Sequence, residues 1–346
     1  MQICKLFIIN IFMNFNFSLN EQLLIFLISA ISIWYFCTKL SDVVEYIDDE
    51  FGLGDAFGGT LILSVVTNLP EIAIAISGSI SKNYDLVTGN LLGGIAMQSM
   101  LLILYDFANK RDSKPLSTIT SSNSGLFQGI SLIIILLLCL YAGTFKEKIT
   151  IFGAGLSIWA VLLVWFGSLL FLRKYQSNSL SNKVNINKKF TRKSSLWWLF
   201  IISIMVLFFG VLLENSSDAI ATHFNMSGVF FGATILALVT SLPEISSGLA
   251  FVKNKDYQPL IDDIFGGNGF LPVLFLPASI IANKNIIEDA GSSNNFLSYL
   301  SIILTLIFLL GMWRKSPKKI NTLGWDTWLM LIVGILGFTV LYYISS

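Results

Sequence analysis

Val66-Thr67-Asn68-Leu69-Pro70-Glu71 and Val239-Thr240-Ser241-Leu242-Pro243-Glu244 decide how this chain is read. Each stretch sets a proline and a carboxylate inside a long apolar segment. An ionisable side chain at membrane depth is expensive and marks a functional site by default. A proline within a helix removes one hydrogen bond and pushes away the carbonyl four residues back. Here those carbonyls belong to Val66 and Val239, and the same kinks at Pro70 and Pro243 loosen Thr67 and Thr240. The expected result, twice over, is an acid beside unpaired carbonyl and hydroxyl oxygens, the surrounding that hard cations take. For either proline alone, hydroxyls satisfying kinked backbone would be explanation enough. The recurrence of Pro-Glu at a fixed offset favours a site.

Working outward, the 346 residues are 54% hydrophobic and 12% charged, against about one quarter charged in a soluble domain. Apolar stretches of roughly 20 residues recur along the whole length, which predicts a polytopic, all-α integral membrane protein. Ten spans are expected, near 21–40, 55–80, 85–106, 124–143, 149–172, 196–214, 227–251, 257–282, 296–313 and 325–344. They divide the chain into an N-terminal segment (1–20, a signal-like or interfacial helix), a first five-helix unit (21–172), a linker (173–195) and a second five-helix unit (196–346).

The linker carries Arg173, Lys174, Lys183, Lys188, Lys189, Arg192 and Lys193 without an acid, and the positive-inside rule makes it cytoplasmic. Lys110, Arg111 and Lys114, and then Arg314, Lys315, Lys318 and Lys319, fall on the same side. Both termini are therefore expected outside a plasma or cell inner membrane. Asp42, Glu45, Asp48, Asp49 and Glu50 follow the first span as a solvated helix end, or as acids that concentrate cations at the inner mouth. Cys4, Cys37 and Cys139 lack metal or redox spacing and read as packing residues, and the lone His223 as a loop residue. No nucleophile–base pair, His/Cys metal arrangement or nucleotide loop is visible. An enzyme, an ATP-driven pump and a nucleic-acid binder are accordingly not expected.

Shifting the chain by 173 residues lays Glu45–Gly94 on the second half without a gap. Ile47, Phe51, Gly59, Ile62, Leu63, Val66, Thr67, Leu69, Pro70, Glu71 and Ile72 meet identical residues, as do Lys82, Tyr84, Gly93 and Gly94. Shared hydrophobicity does not produce matches across polar and special residues. A duplicated unit with an odd number of spans forces the copies into opposite orientations, the inverted repeat of many secondary transporters. In such folds the site lies near the midplane, where interrupted helices of the two halves meet.

Two ionised carboxylates in one dry cavity repel each other and lose hydration. A Ca²⁺ ion would cancel both charges and take roughly six to eight oxygens. Thr67, Asn68, Thr240 and Ser241 add oxygens on the turn before each glutamate. The following spans open with Gly89-Asn90-x-x-Gly93-Gly94 and Asp262-Asp263-x-x-Gly266-Gly267, whose glycines would permit close helix approach. Asn90 and Asp263 are equivalent and could line the path. Gln98 comes 27 residues after Glu71; its equivalent is Leu271, with Asn268 on nearly the same helical face.

These motifs resemble the two α-repeats of the Ca²⁺:cation antiporter superfamily, the sodium/calcium exchanger branch above all. The resemblance implies ten helices in two inverted five-helix halves, with Ca²⁺ between Glu71 and Glu244. Thr67 and Thr240 would contribute carbonyls and hydroxyls, Na⁺ would occupy overlapping positions, and the first and sixth helices would slide. The chain departs from the family's usual residues at Asn68, Gly94, Gln98, Asp262, Gly267 and Leu271. The expected function is Ca²⁺ antiport by alternating access, in exchange for Na⁺, with H⁺ or another divalent-cation exchange as the competitor. A cation channel fits the repeat and the paired acids less well. No cofactor is expected beyond the transported ions.

Overall fold

The computed structural model describes residues 17–51, 65–110, 112–176, 192–289 and 291–345. The expected N-terminal segment up to residue 16, Cys4, most of the linker and the start of the second span (52–64) lie outside the described residues. The rest is helical. The long elements are α1 (Leu19–Phe51), α2 (Leu69–Ser81), α3 (Tyr84–Ala108), α4 (Asn123–Thr144), α5 (Leu156–Gln176) and α6 (Arg192–His223). They continue as α7 (Gly228–Thr240), α8 (Leu242–Asn254), α9 (Tyr257–Ala282), α10 (Gly291–Arg314) and α11 (Trp325–Ser345).

Among the described residues, seven helices are long and apolar enough to cross a membrane, or eight if α7 and α8 form one span bent by 48°. The apolar helices at Leu69–Ser81 and Leu156–Leu172 are shorter, so length and composition do not reach the expected count of ten. The protein is nonetheless a multi-pass, all-α membrane fold of two repeats.

Three boundaries differ from expectation for local reasons. The fifth helix starts at Leu156 instead of 149, because Thr150–Ile151 and Ala154–Gly155 pair as a small antiparallel hairpin. Its two turn residues, Phe152 (φ 53°) and Gly153 (φ 83°), both have positive φ, as the tight hairpin turn requires. The first helix continues through the acidic stretch to Phe51, so those acids ride on a helix end, where exposed Asp42 pairs with Lys39 at 3.5 Å. The sixth continues past 214 to His223, carrying Glu214-Asn215-Ser216-Ser217-Asp218 inside it; His223 is thus the helix's last residue, not part of a loop.

Apolar side chains segregate into two cores. One joins α1 and α6 through Ile33, Cys37, Val206 and Leu213, with Leu69 and Ile74 of α2 and Phe231 of α7 packed onto it. The other joins α3, α4, α5, α9, α10 and α11 around Leu92, Cys139, Phe265 and Phe308. Ile28 and Ile31 on α1, Phe200 and Phe208 on α6, and Ile335 and Leu336 on α11 face outward, as lipid-exposed side chains do. At one end Lys319, counted in sequence as a free positive charge, is instead buried with its Nζ 2.9 Å from Asp106 Oδ1. Asp106 also accepts from the Leu116 and Gly324 amides and the Thr327 hydroxyl, tying the α3–α4 and α10–α11 connections to the start of α11.

The glycines of the two motifs behave unequally, although Gly94, like Gly266 and Gly267, meets no helix backbone, only the Leu271 side chain. Gly89 and Gly93 of α3 lie directly on the α7 backbone at Val229 and Ala233, where an added Cβ would collide. Gly266 and Gly267 of α9 meet no helix backbone. Their nearest neighbours are the Gln128 and Gln98 side-chain oxygens, each 3.8 Å from where a Cβ would stand. The second pair therefore leaves room beside amide groups, correcting the packing role expected of it. Gly93→Ala should destabilise the protein by about 1–3 kcal/mol through overpacking, whereas Gly266→Ala should be close to neutral. Thermal unfolding of both variants in detergent checks this, and equal melting temperatures would contradict it.

Candidate functional site

Both signature stretches break their helices. The chain turns at Asn68 (φ −97°, ψ 22°) and at Ser241 (φ −85°, ψ 4°), and new helices start at Leu69 and Leu242. Pro70 and Pro243 fall in the first turn of those new helices, where the missing N–H has no intrahelical partner to lose. The expected mid-helix kink is therefore a break with the proline as starter, a correction with two consequences. The glutamates sit at the N-terminal, positive end of a half-helix. The preceding half-helix, ending at Thr240 in the second repeat, turns its carbonyl end toward the same region.

Glu71 is 2% exposed and Glu244 is 7% exposed. Neither Glu71 carboxylate oxygen has a hydrogen-bond partner, nor has Glu244 Oε2. Each carboxylate lies over the amide of its own residue, and the two are close enough for their charges to interact. The Thr240 hydroxyl of the second repeat stands beside Glu71 of the first, but donates to the Ala237 carbonyl at 3.2 Å. Ser241 Oγ also donates to Ala237, at 2.7 Å. Thr67 is half-buried and its hydroxyl lies 3.3 Å from the Asn68 amide nitrogen, which donates to it. The four residues preceding the glutamates are thus gathered at the two breaks.

The outer ring of expected residues divides. Asn90 is buried with both amide atoms unpartnered, its hydrogen-bonding capacity unused. Asp263, its repeat equivalent, accepts from the Ser247 hydroxyl at 3.1 Å and lies close enough to Glu244 for the charges to interact. Gln98 is buried and reaches toward Gly267 across the repeat boundary. Asn268 is fully buried; its amide nitrogen makes a long 3.5 Å bond to Ser99, and its oxygen is unpartnered. Leu271 is fully buried and supplies no oxygen. Asp262 points elsewhere, to Gln128 and Gln258.

Two neighbours were not anticipated. Tyr105 of α3, fully buried, donates its hydroxyl to the Glu244 carbonyl at 2.8 Å, its ring filling the space that Gly248 leaves open. Trp34 of α1 donates to Ser246 Oγ at 2.7 Å, linking α1 to α8. Both contacts are remote in sequence, and nothing local to either residue announces them. Among the described residues no group of three or more His, Cys, Asp or Glu side chains forms a metal cluster. The candidate site is instead a pair of carboxylates with hydroxyl, amide and carbonyl oxygens, suited to a hard cation of modest affinity.

Comparison with known proteins places the chain in a family. The family described as sodium/calcium exchanger protein matches residues 21–176 and 194–345. The inner membrane protein YrbG of Escherichia coli (strain K12) is 23% identical over 322 residues, which are 92% of this chain and 96% of YrbG. The solved structure of the H⁺/Ca²⁺ exchanger CAX has a TM-score of 0.70 at 11% identity, covering 98% of this chain and 89% of CAX. The sodium-calcium exchanger NCX_Mj has a TM-score of 0.59 at 20% identity, covering 93% of this chain and 99% of its own. At these identities the two solved structures share the fold.

Tyr105→Phe removes the donor to the buried Glu244 carbonyl and should lower stability by about 1 kcal/mol. Equilibrium unfolding in mixed micelles measures it. A variant as stable as the parent would show that the bond does not support α8.

Proposed function

The chain belongs to the sodium/calcium exchanger protein family, and from that premise we propose that it moves Ca²⁺ by alternating access, bound between Glu71 and Glu244, in exchange for Na⁺. The single observation that carries the reading is the pair of buried carboxylates with unpartnered oxygens at two helix breaks. An empty site of this kind holds uncompensated charge in a medium without water, and moving it through the membrane is costly. A divalent cation offsets both charges at once. When it leaves, other cations must take its place before the site can change sides, and that requirement is exchange.

The parts divide as follows. Glu71 and Glu244 supply charge. The Thr240 and Thr67 hydroxyls, the carbonyls at the breaks, and Asn68 and Ser241 complete an oxygen shell from both repeats. Gln98, Asn90 and Asn268 line the approach with amides. Asp263, a half-buried acid beside Glu244, supports Na⁺ as counter-ion, since three carboxylates can be balanced by several monovalent cations or by Ca²⁺ with one proton. The second reading, H⁺ in place of Na⁺, is supported by Leu271, which removes one oxygen that an additional cation would use. On either reading the membrane orientation puts the basic linker in the cytoplasm and both termini outside.

Uptake of Ca²⁺ into proteoliposomes under an outward Na⁺ gradient or an outward H⁺ gradient, each alone, separates the two. Uptake is expected under the Na⁺ gradient, and a response to H⁺ alone would replace Na⁺ by H⁺. Glu71→Gln and Glu244→Gln should each abolish uptake while the purified protein stays monodisperse. Normal transport by either variant would sink the proposed site.

A further inference from the structure

The two half-helices that carry the glutamates are unequally covered. In α2, nine of thirteen residues are buried; in α8, only three of thirteen are, namely Glu244, Gly248 and Val252. The repeat gives both helices the same length and the same αL lysine ending, Lys82 and Lys255, so the difference comes from what packs on them. Helix α6 lies along α2, with Gly210 brought hard against Ala73. Helix α1 makes slighter contact with α8, through Trp34 and Ser246. Among the described residues, the first half-helix is closed over and the second is open.

On the closed side sits a carboxylate that the transport reading does not use. Glu214 of α6 is fully buried. It accepts from Ser77 Oγ at 2.7 Å and from Asn83 Nδ2 at 2.8 Å, both belonging to α2 or the residue pair that follows it. Gly78 lies beside this contact, and it is the Val87 side chain, not Glu214, that a Cβ there would meet too closely. Shifting by the repeat offset, the equivalents on the open side are Ser41, Ala250 and Asp256. Ser41 bonds only to the Cys37 carbonyl of its own helix. Among the described residues the clamp exists once, and on the covered face.

We infer that Glu214 is a one-sided latch, a positioning residue whose bonds to Ser77 and Asn83 hold α6 against α2 and bias the protein toward the state closed over Glu71. The inference rests on the alternating-access reading. Sliding α6 along α2 breaks both charge-assisted bonds and strands a buried carboxylate, so the opposite state is disfavoured until cation binding at the breaks offsets the loss. Charge-assisted bonds are the strong ones, and losing this pair should shift the two-state ratio by about tenfold.

The test uses paired reporters in the full-length chain with Cys4, Cys37 and Cys139 replaced. Ala73→Cys and Ser246→Cys occupy equivalent places two residues beyond the glutamates, one under α6 and one under α1. The rate of labelling by a water-soluble maleimide reads which face is open. Glu214→Leu should raise labelling at position 73 by about tenfold and leave or lower that at 246. Glu214→Gln, which keeps an acceptor and gains a donor, should give a smaller rise. Ser77→Ala combined with Asn83→Ala removes the same bonds from the other partner and should match Glu214→Leu, and it carries the comparison if Glu214→Leu does not fold. Unchanged labelling at 73 in folded protein overturns the latch, and so does an equal rise at both positions, which marks a packing anchor. Added Ca²⁺ should shift the ratio in the parent chain. If it does not while Glu214→Leu does, the latch stands and the Ca²⁺ reading fails.

Discussion

Carboxylates buried without hydrogen-bond partners set the terms for the rest of this molecule. A polar group removed from water and left unpaired is among the costliest local features a fold can carry, and both Glu71 carboxylate oxygens and Glu244 Oε2 are in that condition. The surrounding backbone is arranged around the liability. Each glutamate stands at the start of a half-helix, where the dipole favours negative charge, and the breaks at Asn68 and Ser241 exist because a continuous helix could not offer that end at membrane depth. Tyr105 and Ser247 satisfy the Glu244 carbonyl, so the exposed need is confined to the carboxylate. Gly89 and Gly93 bring α3 onto the α7 backbone and close the space from one side.

The two hydrophobic cores give the site two unlike borders. Helices α3, α4, α5, α9, α10 and α11 share one core, stiffened at one end by the Asp106–Lys319 pair. Helices α1 and α6 share the other, and much of their remaining surface faces lipid. Lipid-facing surface gains nothing from a fixed position, because hydrocarbon is equally good at every register. What holds the α1–α6 pair in place is therefore its inward packing, apolar through Leu69, Ile74 and Phe231. The directional contacts added to it are Gly210 on Ala73, Trp34 on Ser246, and Glu214 on Ser77 and Asn83.

Sequence carried the architecture because the evidence for it was redundant. A fifty-residue ungapped repeat with Pro-Glu, Lys-x-Tyr and Gly-Gly in register is legible without coordinates, and the lysines it matched, Lys82 and Lys255, end both half-helices in the left-handed conformation. The glutamates, Thr240 and Gln98 could be placed because each sits within a helical turn or a fixed number of turns of the signature. Proline was misread as a kink, since its chemistry is the same in mid-helix and at a helix start; only the backbone at Asn68 and Ser241 distinguishes them. Tyr105 and Trp34 could not be found, because their partners lie 139 and 212 residues away. Glu214 had a signal in the run Glu-Asn-Ser-Ser-Asp within an apolar helix, but polar residues near a span's end read equally well as the end itself.

Duplication gave two copies of one backbone, and the departures between copies are where function can acquire direction. Asn90 against Asp263, Gln98 against Leu271 and Glu214 against Ser41 each put a different charge or hydrogen-bonding capacity at equivalent places. A perfectly symmetric inverted repeat would have two states of equal energy related by its own pseudo-twofold, with nothing intrinsic to favour either. Every asymmetric polar contact breaks that degeneracy by its own net worth, about 1 kcal/mol for a neutral hydrogen bond and more for a charged one. A cargo that binds both states equally cannot restore the balance. The resting preference of the protein is therefore written in residues away from the glutamate pair, and a cation bound at the pair changes it only by the difference between its affinities for the two states.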